Sequence, residues 1–161
     1  DISSKAGMLK LFQDFQEAKN EFIKEKGFYL YKQLKLPLRK IEPIALQLKI
    51  WSDKYKVMGY LDCLGYYNGE LSLIDFKNSK HIKKPEHYHN YLLQCTMYCI
   101  MLKVTLGISV RQIVLLIGVR DSASPQVIKK RTKDYVKEAI SRINEYHAIN
   151  DNNSVKCKNG N

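Results

Sequence analysis

The chain has 161 residues, a length that suits one compact domain and leaves little room for two. Hydrophobic residues make up 45% of it and charged residues 27%, close to the globular average, so a largely disordered or fibrous protein is excluded. The charge is unusual, because 27 lysines and arginines against 16 aspartates and glutamates give a formal net charge of +11. That excess favours a polyanionic partner, either nucleic acid or an anionic membrane surface.

The first third of the chain predicts a helix and an irregular segment. From Met8 to Lys26, apolar residues recur at steps of three and four, which predicts an amphipathic helix ending at Gly27. Phe28–Arg39 has weak periodicity and contains Pro37, so we predict a loop or a short edge structure there.

Three β-like runs follow: Ile41–Trp51, Lys56–Tyr67 and Glu70–Phe76. Asn68-Gly69 separates the last two, and both residues accept the positive φ of a type I′ turn. We therefore expect the second and third strands to be antiparallel neighbours.

The second half predicts helix, strand and helix. Tyr88–Leu106 is apolar on more than one face, which indicates a well-buried helix, and Gln112–Val119 is a continuous apolar run typical of a strand covered on both faces. Lys133–Ile149 has helical spacing, and the polar residues 150–161 predict a disordered tail. We expect one α/β domain over residues 1–149, with its core at about 41–146 and a mixed β-sheet flanked by helices.

The cysteines favour reduced core thiols. Cys63, Cys95 and Cys99 lie in strongly apolar segments, and only Cys157 follows the predicted core. Cys95 and Cys99 lack the spacing and the histidine partners of a structural zinc site.

Two aspartates and a lysine carry the strongest chemical signal. Asp75 and Lys77 point to the same face of their strand, because side chains alternate, and the predicted hairpin brings Asp62 within reach of them. Hard divalent cations prefer carboxylate oxygens, and a nearby lysine can orient or help to deprotonate an attacking water. The alternative is an ordinary solvated strand face, but Asp62 and Asp75 have apolar neighbours, where an unpaired carboxylate is costly.

Four segments occur in a characteristic order: Gly59-Tyr-Leu-Asp-Cys-Leu, Tyr67-Asn-Gly-Glu-Leu, Leu73-Ile-Asp-Phe-Lys-Asn-Ser-Lys and Leu93-Gln-Cys-Thr-Met-Tyr. In this order and spacing the chain resembles the PD-(D/E)XK nucleases of the RecB/Cas4-like branch. Within that branch it is most similar to the mitochondrial genome maintenance exonuclease family and its phage and bacterial relatives. The resemblance implies a restriction-endonuclease-like core.

The resemblance also implies roles for individual residues. Asp62, Asp75 and the backbone carbonyl of Phe76 would hold the metal, and Lys77 would be the catalytic lysine. Glu42, on the first strand, matches an acidic residue of the family site.

A second group of residues would contact or support the DNA. Gln94 and Tyr98, one helical turn apart, match the motif that supports the lysine and the DNA strand. We assign phosphate contacts to the loop residues Lys80, Lys83, Lys84 and His87. His87-x-His89 could instead bind metal, and Tyr66, Tyr67 or Tyr88 could stack on bases.

The chain departs from the family pattern in two places. Relatives usually have Gly-x-x-x-His on the first helix, but Gly7 is followed here by Met8, Leu9, Lys10 and Leu11. Either the histidine is missing or it lies before residue 1. Cas4-like members with an iron–sulfur cluster need clustered cysteines after the core, so we expect no cluster here.

The resemblance and the charge together predict a magnesium- or manganese-dependent DNA exonuclease for single strands or DNA ends, in replication, repair or recombination. The alternatives are a catalytically weak or inactive nucleic-acid-binding module and a structure-specific endonuclease. No apolar run approaches the ~20 residues that span a bilayer, and no signal peptide opens the chain. We therefore expect an intracellular monomer without a membrane partner, in a bacterial or phage-infected cell or in the mitochondrial matrix.

Overall fold

The computed structural model describes residues 32–158 and residue 17, with side chains described as far as residue 151. Residues 32–39 are helical and are called α1. The elements that follow are β1 (Ile41–Ser52), β2 (Val57–Tyr67), β3 (Glu70–Ser79), α2 (Pro85–Leu106), β4 (Gln112–Val119), β5 (Gln126–Arg131), a 3-10 turn (Thr132–Asp134) and α3 (Val136–Lys158).

The five strands form one mixed sheet in the order β1-β2-β3-β4-β5. Only the β3–β4 pairing is parallel, and α2 makes the crossover between these two strands. Asn68 and Gly69 have φ values of 49° and 80°, as a type I′ turn requires. The predicted hairpin and the mixed sheet flanked by helices are both confirmed.

Each face of the sheet has its own apolar core. All eight residues of β4 are buried, as the sequence predicted for a strand covered on both sides. One core lies between the sheet and α2, and α3 packs beside α2. The other core lies under α1, where Leu34 and Leu38 belong to one buried cluster with Ile74, Val114 and Leu116. Among the described residues, no helix is both long and apolar enough to cross a membrane.

The prediction of a loop or edge structure for Phe28–Arg39 is wrong for its described part, which is α1. Gln33, Leu34, Pro37 and Leu38 are buried at helical spacing. Pro37 removes one N–H donor from the helix, and the burial of Leu34 and Leu38 on either side of it offsets this cost. The helix predicted from Met8 to Lys26 lies outside the described residues, apart from residue 17, which is helical.

Two further differences concern the second half of the chain. The edge strand β5 was not predicted, because its side chains are mostly exposed and charged and it has no apolar run. α3 begins at Val136 and continues to Lys158, through most of the segment for which the sequence predicted a disordered tail. Extending an existing helix costs far less than starting one, so a polar segment can continue it.

Candidate active site

The site lies where β2 and β3 separate. Their pairing ends at Cys63 opposite Ile74, and Asp62 and Asp75 are the next residues along the two strands. Beyond that point, Oδ2 of Asp62 accepts a hydrogen bond of 2.9 Å from the backbone N–H of Phe76. The carboxylate therefore takes the place of the missing strand partner.

A local irregularity in β2 turns Asp62 toward β3. Leu61 and Leu64 both pack in the core under α2, whereas Cys63 packs in the opposite core. Regular alternation would put Leu61 and Cys63 on the same side, so the pattern slips at Asp62. Across the ladder, Gln47 has a φ of 48°, a conformation that is uncommon for residues other than glycine.

Asp75 and Lys77 lie on the face of β3 that α2 covers, as alternation predicted. Asp75 is only 4% exposed, and Nζ of Lys77 lies 3.2 Å from its Oδ2. This ion pair is the contact that Oδ2 makes, and no described residue gives Oδ2 a hydrogen bond of good geometry. Burial, and then the charge of Asp62, raises the pKa of Asp75 to about 7.

Lys77 is held between Asp75 and an aromatic ring. Its Nζ lies 4.9 Å from the ring centroid of Tyr91 on α2. Burial alone would lower the pKa of Lys77, but the charges of Asp75 and Asp62 outweigh it, and the pKa is raised. The lysine is therefore a cation that the two aspartates and the ring fix in position.

One stripe of α2 covers this cluster. Tyr91, Gln94, Cys95 and Tyr98 recur at helical spacing on one side of α2. Nε2 of Gln94 donates a hydrogen bond of 3.2 Å to the Tyr98 hydroxyl. The Tyr98 ring lies directly on Gly59, where an added Cβ would be 2.6 Å from the ring carbon Cε1. Gly59, the glycine of the Gly-x-x-Asp motif, is therefore required for the Tyr98 ring to lie against β2.

The basic loop before α2 divides into two kinds of lysine. Lys80 and Lys84 are exposed, as expected for phosphate contacts. Lys83 is half-buried, and its Nζ lies 5.7 Å from the Tyr91 centroid, so it belongs to the site cluster. The side chain of Gln126 fixes the backbone of Lys83, accepting from its N–H at 2.7 Å and donating to its carbonyl at 2.9 Å.

The three histidines near the site have separate partners, and the structure places His87 and His89 in the first turns of α2 instead of the preceding loop. His89 pairs with Glu138 of α3 at 2.9 Å, and His81 pairs with Asp121 at 2.8 Å. His87 is exposed, and its Nδ1 lies 3.4 Å from the backbone N of Lys84. A metal site made of His87 and His89 is therefore not formed in this structure.

Glu42 is not brought to the site. It is exposed and lies opposite Tyr66, four residues along β2 from Asp62, which at the rise of a strand is about 13 Å. Among the described residues, no group of three or more His, Cys, Asp and Glu side chains is close enough to hold a metal ion. Any cation would therefore rely on Asp62, Asp75 and other oxygens.

The sequence reasoning missed Tyr91 and Gln126. Tyr91 could have been found, since it precedes Gln94 by three residues and Tyr98 by seven. Gln126 gave no signal, because its contact crosses from the unpredicted strand β5. Of the three tyrosines expected to stack on bases, Tyr67 is only 3% exposed and belongs to the core.

The three cysteines of the apolar segments, Cys63, Cys95 and Cys99, are buried and free, which confirms them as core thiols. Burial raises the pKa of the Cys63 thiol and of the Cys99 thiol to about 12. These groups stay protonated at neutral pH and are poor metal ligands.

Comparison with known proteins assigns neither a family nor an activity. No family model and no curated protein sequence matches the chain. Among solved structures it is similar to a crystal structure from Eubacterium rectale that bears the name "Putative exonuclease", with a TM-score of 0.47 and 12% sequence identity. The match covers 84% of this chain and 59% of the other, so this chain spans about three fifths of that protein's length. Such a likeness is too weak to assign an activity, and the functional argument rests on the site's own residues.

Proposed function

We propose that this chain is a metal-dependent nuclease that hydrolyses phosphodiester bonds. The observation that supports this most strongly is Oδ2 of Asp75, a buried carboxylate oxygen without a hydrogen-bond partner. Burying a carboxylate without full pairing is costly, so a ligand that binds the carboxylate is the simplest reason to keep it there.

The donors present fit a hard divalent cation. Asp62 and Asp75 supply carboxylate oxygens from two strands that separate between them. Within a strand, the N–H and C=O of one residue point to the same side. The N–H of Phe76 donates to Asp62, so the carbonyl of Phe76 faces the same gap between β2 and β3. Mg²⁺ and Mn²⁺ suit one or two carboxylates together with waters and substrate phosphate oxygens. When bound, such a cation supplies Lewis-acid stabilisation of phosphate charge.

Lys77 is the proposed catalytic lysine. Its ammonium carries three hydrogen-bond donors, and Asp75 and the Tyr91 ring hold it in place. From there it orients the attacking water and stabilises the charge that develops on the phosphate. Gln94 and Tyr98 act as positioning residues, because they hold the face of α2 that covers the site.

The proposed substrate is DNA, cut from single strands or free ends in replication, repair or recombination. Support comes from the net charge of +11 and from the exposed lysines Lys80 and Lys84 beside the site. The motif order of the RecB/Cas4-like nucleases agrees with this proposal. We further propose that the protein acts as a monomer.

The second candidate is a nuclease-fold module that binds nucleic acid without cutting it. It is favoured by Glu42, the predicted acidic site residue, which lies about 13 Å along the strands from Asp62. A site with two carboxylates in place of three would bind metal more weakly. An endonuclease would share the same chemistry and would differ only in where it cuts.

One assay separates these candidates. A 5′-labelled single strand and its circular form are incubated with the wild type, with Lys77→Ala and with Lys80→Ala, with Mn²⁺ or with EDTA. We expect Mn²⁺-dependent loss of the linear strand for the wild type and Lys80→Ala, and none for Lys77→Ala. Cutting of the circle would indicate an endonuclease. Binding without any cutting by the wild type would establish the inactive module.

A further inference from the structure

β1 and β2 continue past the end of the β2–β3 pairing as a two-stranded ribbon, formed by residues 48–52 and 57–61. One side of the ribbon faces the core, where Ile50 and Leu61 are each 1% exposed. Oγ1 of Thr105, near the end of α2, donates a hydrogen bond of 2.6 Å to the carbonyl of Trp51. The ribbon is therefore packed against the core and hydrogen-bonded to α2.

The other side of the ribbon shows large side chains to solvent. Trp51, Met58 and Tyr60 are 48%, 66% and 60% exposed, and Lys49 is exposed as well. Trp51 lies opposite Met58, and Lys49 lies opposite Tyr60, so the four side chains are neighbours on one side. We call these four residues the outer ribbon face.

A ribbon with one buried side normally shows polar residues on the other. This side instead shows two aromatic rings, a methionine and a lysine in neighbouring positions. Such a composition is typical of a surface that binds unpaired bases, because the bases stack on the rings and the cations follow the phosphates. Lys54 and Lys56 in the adjoining turn add positive charge, which Asp53 offsets only in part.

We propose that the outer ribbon face binds the unpaired bases of a single nucleic-acid strand and leads that strand to the candidate active site. Tyr60 lies on the side of the sheet opposite to Asp75 and Lys77, so the strand would reach the carboxylates at the gap where β2 and β3 separate. Tyr60 precedes Asp62, at that gap, by two residues, about 7 Å along β2. The proposal rests on the proposed function for the direction of the strand, but the binding surface itself does not need catalysis.

Trp51 is the only tryptophan of the chain, so its fluorescence reports on this surface alone. The protein is titrated with the oligonucleotide dT20 in EDTA, where no cutting occurs. We expect saturable quenching of Trp51 by dT20 and little quenching by a 20-base-pair duplex, whose bases already stack on one another.

Binding is then compared between two variants by the anisotropy of fluorescein-labelled dT20. Tyr60→Ala should weaken binding about 10-fold, since a stacked base contributes that order of affinity. Tyr146→Ala is the matched control, because Tyr146 lies on α3 and is also 60% exposed. It should bind like the wild type.

The outcomes also separate this proposal from the proposed function. Quenching and a Tyr60-specific loss of binding, without Mn²⁺-dependent cutting, would support the ribbon surface and contradict the nuclease. Cutting by a protein whose Trp51 signal does not respond to dT20, with equal affinities for the two variants, would overturn the ribbon proposal alone. A blue shift of Trp51 that grows with protein concentration, without DNA, would show that a second copy covers the face and would also overturn it.

Discussion

β3 contains two buried polar side chains only three residues apart, and their surroundings are opposite. Ser72 is fully buried, its Oγ donates to the carbonyl of Glu70 at 2.8 Å, and it accepts from Nε2 of Gln112 at 3.0 Å. Asp75 is almost as buried, yet one of its carboxylate oxygens has no hydrogen bond. Strand and parallel neighbour are the same for both, although the two side chains point to opposite faces of the sheet.

The difference separates Ser72, a structural polar group, from Asp75, the proposed metal ligand. A buried polar group that is fully hydrogen-bonded costs little, whereas one without partners lowers the stability of the fold. Ser72 therefore contributes to the packing of β3 against β4. Asp75 is retained at a cost in stability, which is the expected signature of a group that binds something else.

The largest effect is expected from removing the charge of Asp75. Asp75→Asn should lower the Mn²⁺-dependent cutting rate by about 100-fold or more, because the amide is a poor metal ligand. Ser72→Ala should leave the rate unchanged and cost about 1–3 kcal/mol of stability, since Gln112 loses its partner. Cutting rates and urea denaturation of both variants provide the measurement. If Ser72→Ala also lost its activity, both substitutions would be acting by destabilising the fold, and the contrast between the two residues would be contradicted.

Lys77 should come next. Lys77→Ala should reduce kcat at saturating DNA by about 100-fold, because the donor that orients the water is lost. Arginine should not replace it, since a planar guanidinium does not fit the half-buried space between Asp75 and Tyr91. Lys80→Ala, an exposed lysine, is the control. Near-normal kcat for Lys77→Arg would mean that Lys77 only binds the substrate phosphate and does not orient the water.

The metal-free protein should lose stability as the pH rises toward neutral. The pKa of Asp75 is about 7 in the folded chain, above its ordinary 3.8. Between these two values, the folded state holds a proton that the unfolded state releases. The free energy of unfolding therefore falls with rising pH, with a slope of up to about 1.4 kcal/mol per pH unit. Below pH 3.8 both states are protonated, and the effect disappears.

Asp75→Asn provides the control for this pH effect. The variant cannot release the proton, so its stability relative to the wild type should grow from pH 4 to pH 7. Denaturant unfolding in EDTA across this range gives the comparison. Parallel curves for the two proteins would show that Asp75 titrates as an ordinary exposed carboxyl does.

A smaller loss is expected at Gly59, which lies outside the carboxylate cluster. Gly59→Ala places a Cβ 2.6 Å from Cε1 of Tyr98, so the ring must move. We expect a loss of about 1–3 kcal/mol of stability and slower cutting. In the Tyr98→Ala background the same Gly59→Ala change should cost little stability, because the ring that it clashes with is gone. A double-mutant cycle without such coupling would contradict the contact.

Much of this candidate site could be predicted from the sequence, because its geometry depends on the regular spacing of side chains along strands, turns and helices. Alternation placed Asp75 and Lys77 on one side of β3, the Asn68-Gly69 turn paired β3 with β2, and helical spacing placed Gln94 beside Tyr98. Each of these follows from the fixed geometry of a strand, a turn or a helix.

The rest depended on contacts that a single chain segment does not reveal. The approach of Asp62 needs the slip in β2 and the unusual φ of Gln47, and neither has a sequence signal. Glu42 was placed in the site by resemblance, but the register of β1 against β2 puts it opposite Tyr66. α1 was missed because Pro37 weakens a helical pattern, and β5 because a mostly exposed edge strand needs no apolar run.

The smallest effects should distinguish the loop lysines. Lys80→Ala and Lys84→Ala each remove an exposed charge, so each should weaken dT20 binding a few-fold, lower the log–log salt slope by about 0.7 and leave kcat unchanged. Lys83→Ala should also lower kcat about 2- to 5-fold, because the ring of Tyr91 that holds Lys77 loses its second cation. Lys130→Ala, an exposed lysine of β5, controls for charge alone. The measurement is kcat and the salt dependence of binding for all four variants. Equal behaviour of Lys83→Ala and Lys80→Ala would mean that Tyr91 needs no second cation to hold Lys77, the proposed catalytic lysine, in place.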